Sequence, residues 1–449
     1  MAPCGADSAL FKDIFGAEKM REIFSDEMLV QRWLDVEAAL AEAEAELGLI
    51  PMGAASEIRR KANLDFIDLS ALKKGIDVTG HPIVPLIRLL ERACEGDSGK
   101  YIHWGATTQD IMDSAVVLQI RDAYEVILGQ LSSLDQIMCE LARKYRDTVM
   151  AGRTHGQHAL PVTFGFKVAV WVEEMRRHMQ RLEESKKRVL VGQFAGAAGT
   201  LASLGENAER VQKLLMHKLG LGVSKIAWHN SRDGIAEFVL ILAMIAATAG
   251  KIANEVVALQ KTEVAELEEP FSLGNTVGSS TMPHKRNPMM SEGLIATAHM
   301  VKFTALAAID GMGHEHERDM RRWAMEWDFI PRVCIMTSGV LDRLSFVLKG
   351  LVVKPERMMQ NLMLLKGLIN SEEVMLEIAK FIGRQEAHEV IYEDSMKVYE
   401  EDKPFRTVLL EDPRVSNHLD EETITRLLDP RSYTGLAGRS VDKVVGEKE

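Results

Sequence analysis

The segment Gly278-Ser279-Ser280-Thr281-Met282-Pro283-His284-Lys285-Arg286-Asn287-Pro288 concentrates serine hydroxyls, a lysine cation, an amide and prolines just after a long, mostly apolar helical pattern. Ser279 and Ser280 have no apolar neighbour before Met282, so neither lies in a buried strand or on the core face of a helix. Gly274 and Gly278 allow backbone amides to approach an anion closely. Lys285 and Asn287 offer a charge and a hydrogen-bonding fork to a carboxylate. The bland reading is a glycine-serine surface loop with a helix cap at Ser280 and a solvated charge at Lys285. The chemical reading is an anion-binding loop, and these residues alone leave both open.

Two more segments carry polar chemistry at close spacing. One is Tyr101-Ile102-His103-Trp104-Gly105-Ala106-Thr107-Thr108-Gln109-Asp110; the other is Gly152-Arg153-Thr154-His155-Gly156-Gln157-His158-Ala159-Leu160-Pro161. In this order and spacing, the three segments resemble the signature motifs of the fumarase/aspartase superfamily of lyases, and the resemblance extends over essentially the whole chain. It implies a β-elimination. A proton leaves the carbon beside a carboxylate while a nitrogen or oxygen leaves the neighbouring carbon, giving fumarate or a related unsaturated acid. Such a site must hold a dianionic aci-carboxylate, which calls for preorganised donors and a cation.

By that resemblance Ser279 is the base, with Ser280 supporting the loop, although sequence does not separate two adjacent serines. A serine oxyanion needs amides and a nearby lysine to stabilise it. His155 is the general acid, since imidazole titrates near neutral pH. His103 either orients His155 or binds the substrate. Thr107, Thr108, Gln109, Thr154, Gln157, Met282, Lys285, Asn287 and Arg318 complete the expected substrate-binding set. Gln193 joins them from the glycine-rich turn Gly192–Thr200, which has no preceding strand and therefore no dinucleotide fingerprint. For His158 the bland reading of a packed histidine is favoured, and for His81 both readings stay open. His314-Glu315-His316-Glu317 invites a metal, but residues two apart do not share a helix face, and a loop at the site rim is the expectation. No metal or cofactor is expected.

Two subgroups compete. His103–Asp110, His316-Glu317-Arg318 with Trp323 and Glu326-Trp327, and the ending Leu428–Gly435 look closer to the 3-carboxy-cis,cis-muconate cycloisomerases, which close a lactone. Thr154-His155-Gly156-Gln157 looks like the adenylosuccinate lyases, and a histidine there suits expulsion of a basic amine. The arginine-tyrosine pair that usually helps those lyases hold a nucleotide phosphate is not found before residue 30. The expectation is an adenylosuccinate lyase-like enzyme acting on a substituted succinate, with the leaving group open. Lactonisation is the alternative, and a helical scaffold without activity is the alternative of another class.

Composition narrows the field. A net charge of −12 argues against nucleic acid as a main partner. An acidic protein must gather cations locally for an anionic substrate, and Arg153, Lys285-Arg286, Arg318 and Arg321-Arg322 are the available clusters. The four cysteines have no paired spacing, which suits a reducing compartment. The longest apolar run, residues 238–250, falls short of the roughly 20 residues needed to span a bilayer. The N-terminus lacks a secretion signal. A cytoplasmic location and no membrane partner are expected.

The positioning elements read as long helices. Val117, Ile120, Tyr124, Ile127, Leu131, Leu134, Met138 and Leu141 alternate spacings of three and four within a helix predicted over 114–147. Further long helices are predicted from Pro161 to about Leu190 and over 235–269, 289–309 and 329–348, with a shorter one over 26–47 ending at Gly48. Strand signals are nearly absent. The fold class is therefore all-α. An N-terminal helical domain over 1–111 and a C-terminal one over 356–449 flank a central long-helix bundle over 112–355. Helices of this length suggest bundles from several chains packing together, and the resemblance implies a homotetramer with shared active sites.

Overall fold

The computed structural model describes residues 8–271 and 279–446. Gly274 and Gly278, expected to shape the signature loop, lie outside the described residues. Their regular structure is helical apart from three two-stranded pairings. They form two compact units. One gathers Met1–Leu131, His178–Gly250 and Ala296–Asp342; the other gathers Ser132–Arg177, Lys251–Ile295 and Arg343–Glu449.

The long helices follow the apolar periodicity. Helix Thr108–Lys144 buries the expected stripe, with Val117, Ile120, Ile127, Leu131, Leu134 and Met138 fully inaccessible. Each such side chain contributes roughly 1.5–3 kcal/mol of burial. Its start is fixed by a reciprocal turn in which the Asp110 carboxylate accepts Thr107 N–H at 3.0 Å, while Asp110 N–H donates to Thr107 O at 2.9 Å. Helix Asp233–Gln260 is the apolar one, ending earlier than residue 269 because the chain turns back at Lys261 and pairs Leu267-Glu268 with Val352-Val353. This helix and Met289–Gly311 are long and apolar enough to cross a membrane, but 67% of the most apolar window of the first is buried within the protein. Helix Met320–Lys349 begins well before Phe329 and carries Pro331 in its interior, where a sequence reading places a boundary.

In the first unit, helix Asp26–Glu46 starts at Ser25, whose hydroxyl accepts Met28 N–H at 3.2 Å, and ends at Gly48 with φ +71°. Its inward face buries Trp33, Leu34 and Leu40 in a core with Ile58, Leu86, Ile111, Phe194 and Leu215. Two acids, Glu37 and Glu44, lie on that face and are also buried.

The second unit contains the main departure from expectation. Val149–Thr154 and Gln157–Thr163 form an antiparallel hairpin, so the following helix begins at Phe164 rather than Pro161. Pro161 instead pairs with Ala151 inside the hairpin, next to a register shift between Ala151 and Arg153. Val149 and Ala151 pack on Leu362 and Ile369. The C-terminal helices enclose a separate core around Ile378, Phe405 and Ile424.

Candidate active site

The residues expected to act divide between the two units. In the second unit, His155 and Gly156 form the two-residue turn of the hairpin, with φ of +52° and +76°, and Thr154 pairs with Gln157 on either side. Two consecutive positive φ values describe a type I′ turn, which matches the twist of the flanking strands. The turn puts Thr154, His155 and Gln157 at an exposed tip. Below it the hairpin is anchored. Arg153 places its guanidinium against both oxygens of the fully buried Glu266, and Asn361 donates to the same carboxylate at 2.7 Å. Near this anchor, burial first and Arg153 second hold His158 below the ordinary histidine range.

The signature loop is visible from Ser279 onward. The Ser279 hydroxyl oxygen accepts Met282 N–H at 3.0 Å and Thr281 N–H at 3.3 Å. Lys285 N–H then closes a turn on Met282 O at 3.0 Å. Two amides directed at one hydroxyl oxygen stabilise negative charge on it. Ser280, Met282 and Lys285 are exposed and Asn287 is half-buried. The far end of the loop is tied down. Arg286 pairs with Glu268 at 2.6 Å and lies over the Phe271 ring, and Lys354 shares Glu268 at 2.7 Å. The neighbouring Glu269 accepts the N–H groups of Met290 and Ser291 at 3.0 Å each, which caps helix Met289–Gly311. Among the described residues of one chain, no hydrogen bond or ion pair joins His155 to Ser279 or Lys285.

In the first unit, the other motif surrounds the start of helix Thr108–Lys144. Asp110 is fully buried and organises it, accepting Thr107 N–H, Ala195 N–H, Gly196 N–H and His229 Nε2 at 2.8–3.0 Å. The glycine-rich turn is thus held against the helix, and Ser114 adds bonds to both the N–H and C=O of Gln193. Gln109 is buried; its amide accepts from Arg318 Nε at 2.8 Å and donates to His229 O at 2.9 Å. Gln193 is equally buried, and with its amide oriented to satisfy both ends it accepts His229 N–H at 2.7 Å and Trp228 N–H at 3.1 Å. The contacts of both side chains are therefore internal to the site's frame: Gln109 holds Arg318, and Gln193 holds the 228–229 backbone. The Thr108 hydroxyl meets His81 Nε2 at 3.0 Å, and His103 Nδ1 meets Glu37 at 2.6 Å.

Charge accounting separates the cationic clusters. Arg153 is spent on Glu266, Arg286 on Glu268, Arg321 on Asp319 and Glu315, and Arg322 on Asp310. Among the described residues, Lys285 and Arg318 alone of these clusters have no carboxylate at ion-pair distance. Glu326 and Trp323 are engaged as well, for Arg232 is buried between Asp113 and Glu326 while Trp323 Nε1 donates to Asp113 at 3.0 Å. A cavity of about 310 Å³ beside them is lined by Trp33, Met112 and Trp327 but by none of the expected site residues.

Sequence reasoning passed over Glu37, Glu266 and Glu269. Glu37 did leave a signal, because it interrupts the inward stripe Val30, Trp33, Leu34, Ala41 with an acid at a core position. Glu266 and Glu269 sit in the acidic run 263–269 and read as a solvated face.

The family model described as Lyase matches residues 15–302, and Adenylosuccinate lyase C-terminus matches 367–444. The chain is 43% identical to the N-acetyl-S-(2-succino)cysteine lyase of Dickeya dadantii (strain 3937), over 98% of this chain and 96% of that protein. A solved fumarate lyase from Mesorhizobium sp. BNC1 superposes with a TM-score of 0.91 at 43% identity, covering 97% of this chain and 99% of that one. The 3-carboxy-cis,cis-muconate lactonizing enzyme of Pseudomonas putida gives 0.91 at 38% identity, covering 97% and 98%.

Proposed function

Because the chain belongs to the fumarase/aspartase superfamily of lyases, we propose that it eliminates a heteroatom substituent from a substituted succinate and releases fumarate. The observation that carries this reading is the Ser279 hydroxyl held by two backbone amides, with Lys285, a cation without a carboxylate partner among the described residues, on the same turn. Ser279, as the alkoxide, takes the proton beside the substrate carboxylate. Lys285 and Asn287 stabilise the aci-carboxylate that forms, and His155 gives a proton to the departing atom. Arg318, held by Gln109 and Ala197 O, supplies a second cation for the substrate's other carboxylate.

The departing atom is nitrogen, oxygen or sulfur. A large phosphorylated leaving group is disfavoured because the arginine-tyrosine pair that helps adenylosuccinate lyases hold a nucleotide phosphate is not found before residue 30, where the one arginine is otherwise engaged. Arg21 is taken up by Asp13 and the carbonyls of Lys12 and Gly16. The name of the Dickeya relative points to thioether-linked succinates as a first class to try. Lactonisation of a carboxymuconate is the second reading, supported by the likeness to the Pseudomonas putida enzyme. The proposed enzyme is a homotetramer in which the His155, Ser279 and His103 motifs of different subunits complete each site, so dilution to monomers extinguishes turnover.

The test is ultraviolet absorbance at the fumarate band with S-succinyl and N-succinyl compounds, adenylosuccinate and carboxymuconate. Fumarate from a succinyl compound supports elimination. Consumption of carboxymuconate alone replaces it with lactonisation.

A further inference from the structure

Glu37 projects from the inward face of helix Asp26–Glu46 with its side chain 1% exposed, and its Oε1 lies 2.6 Å from Nδ1 of His103. The His103 side chain is still 18% exposed, so the ring lies between the unit's interior and solvent. The His103 backbone has φ +64°, a left-handed conformation that is unfavourable for a residue with a β-carbon. Such conformations persist where the surroundings dictate the direction of a side chain. With Nδ1 engaged by a carboxylate, the ring is fixed in orientation and Nε2 remains for another partner.

Three titratable groups face this imidazole. Glu37 approaches from helix Asp26–Glu46, Asp110 from the start of helix Thr108–Lys144, and His81 from the turn before helix Ile83–Ala93. Asp110 is already engaged by three amides and His229, which leaves Glu37 as the carboxylate bonded directly to the ring. Burial works against a charged His103, but the Glu37 charge and hydrogen bond, with help from Asp110, outweigh it and raise the imidazole above the ordinary histidine range. His81 moves the other way, lowered by burial first and by His103 second. Two turns along the helix, Glu44 is fully buried with neither oxygen hydrogen-bonded among the described residues. Burial first, and the Glu37 charge second, push it up to about 9. It is therefore protonated at neutral pH, and Glu37 is the carboxylate of this helix in contact with the ring.

We propose that Glu37 is a positioning residue that holds His103 as an imidazolium whose Nε2 receives a carboxylate of the substrate. This inference rests on the reading of the site as one for a substituted succinate. It gives the first unit a second anion anchor beside Arg318, one that is conditional on pH where the guanidinium is not.

The test uses Glu37→Gln, which keeps shape and a hydrogen-bond acceptor but removes the charge, with fumarate as the probe. Kd is measured by calorimetry from pH 5.5 to 8.5 in wild type and variant. At pH 7.5 the variant binds about tenfold more weakly, the size of one charge-assisted hydrogen bond lost. Towards pH 5.5 the variant's imidazole, opposed by burial and no longer helped by the Glu37 charge, takes up its proton as well, and the difference narrows to about half or less of its value at pH 7.5. In parallel, the pH midpoint for carbethoxylation of His103 by diethyl pyrocarbonate, read by peptide mass spectrometry, falls in the variant. A merely structural role predicts the same weakening at every pH and an unmoved midpoint, and either result overturns the proposal, as does equal binding throughout. Wild type that binds fumarate in this way yet eliminates nothing from any succinyl compound overturns the elimination and leaves the dyad standing. Wild type that turns over normally with binding indifferent to Glu37 overturns the dyad alone.

Discussion

Arg153 meets Glu266 with both arms of its guanidinium, Nη2 at 2.6 Å from one carboxylate oxygen and Nη1 at 3.0 Å from the other. The pair anchors the hairpin two residues from His155. Glu266 is fully buried, so replacing it leaves Arg153 as an uncompensated, largely buried charge, a situation that typically costs about 3–5 kcal/mol. Glu266→Gln therefore lowers the urea midpoint of the second unit and reduces turnover with it. A variant unfolding at the wild-type midpoint would show that the hairpin is held by its apolar face alone.

Ser279→Ala removes the proposed base and little else, since the hydroxyl accepts two loop amides that can turn to water. Turnover falls by about three orders of magnitude or more, while circular dichroism and the thermal midpoint stay at wild-type values. Near-normal rates would transfer the role of base to Ser280 or to a group elsewhere.

His155→Gln lowers turnover by about 10²–10⁴ if the imidazole protonates the departing atom. The size of the loss depends on that atom. A thiolate leaves with less need of a proton than an amine, so an S-succinyl substrate loses less than an N-succinyl one. Equal losses on both, measured as kcat/KM, would make His155 a binding group instead of an acid.

Glu44 gives a prediction about stability. Its folded-state carboxyl titrates near 9, above the usual carboxylate value, because burial and the Glu37 charge oppose ionisation. As pH rises above about 4.5 the unfolded chain releases this proton while the folded chain keeps it, so stability drains away towards pH 9. Glu44→Gln has no proton to release. It matches wild type at pH 4.5 and exceeds it by on the order of 5 kcal/mol at pH 8, which paired denaturation curves would reveal. An advantage that does not change with pH would mean that packing, and not ionisation, is responsible.

The helices were legible because their signal is periodic and repeated. The stripe from Val117 to Met138 is buried at each of its positions, and the helix predicted over 26–47 ends within a residue of that boundary. The hairpin was not legible, because its turn is His155-Gly156, without the asparagine or aspartate that usually marks a type I′ turn. Pro161 reads equally well as a helix start and as an irregular strand position. The polar motifs were legible through their resemblance to the family's, since residue type alone left a surface loop equally open. Which members face inward was not legible, since Gln109 and Lys285 look alike as polar residues in a loop. One is inaccessible and doubly bonded, the other exposed and unpaired among the described residues. That difference comes from partners far away in sequence, such as Arg318 and His229.

Each compact unit is assembled from three separated stretches of chain, and the first is not finished until Asp342. Ribosomes add about 5–20 residues per second, so the nascent polypeptide spends on the order of tens of seconds with its earliest helices waiting for their last neighbours. During that interval the apolar helix Asp233–Gln260 has emerged without the stretch 296–342, so its apolar surface waits for that stretch. Premature termination anywhere upstream of Asp342 yields a fragment with neither unit complete, a product for proteolysis and not a smaller working enzyme.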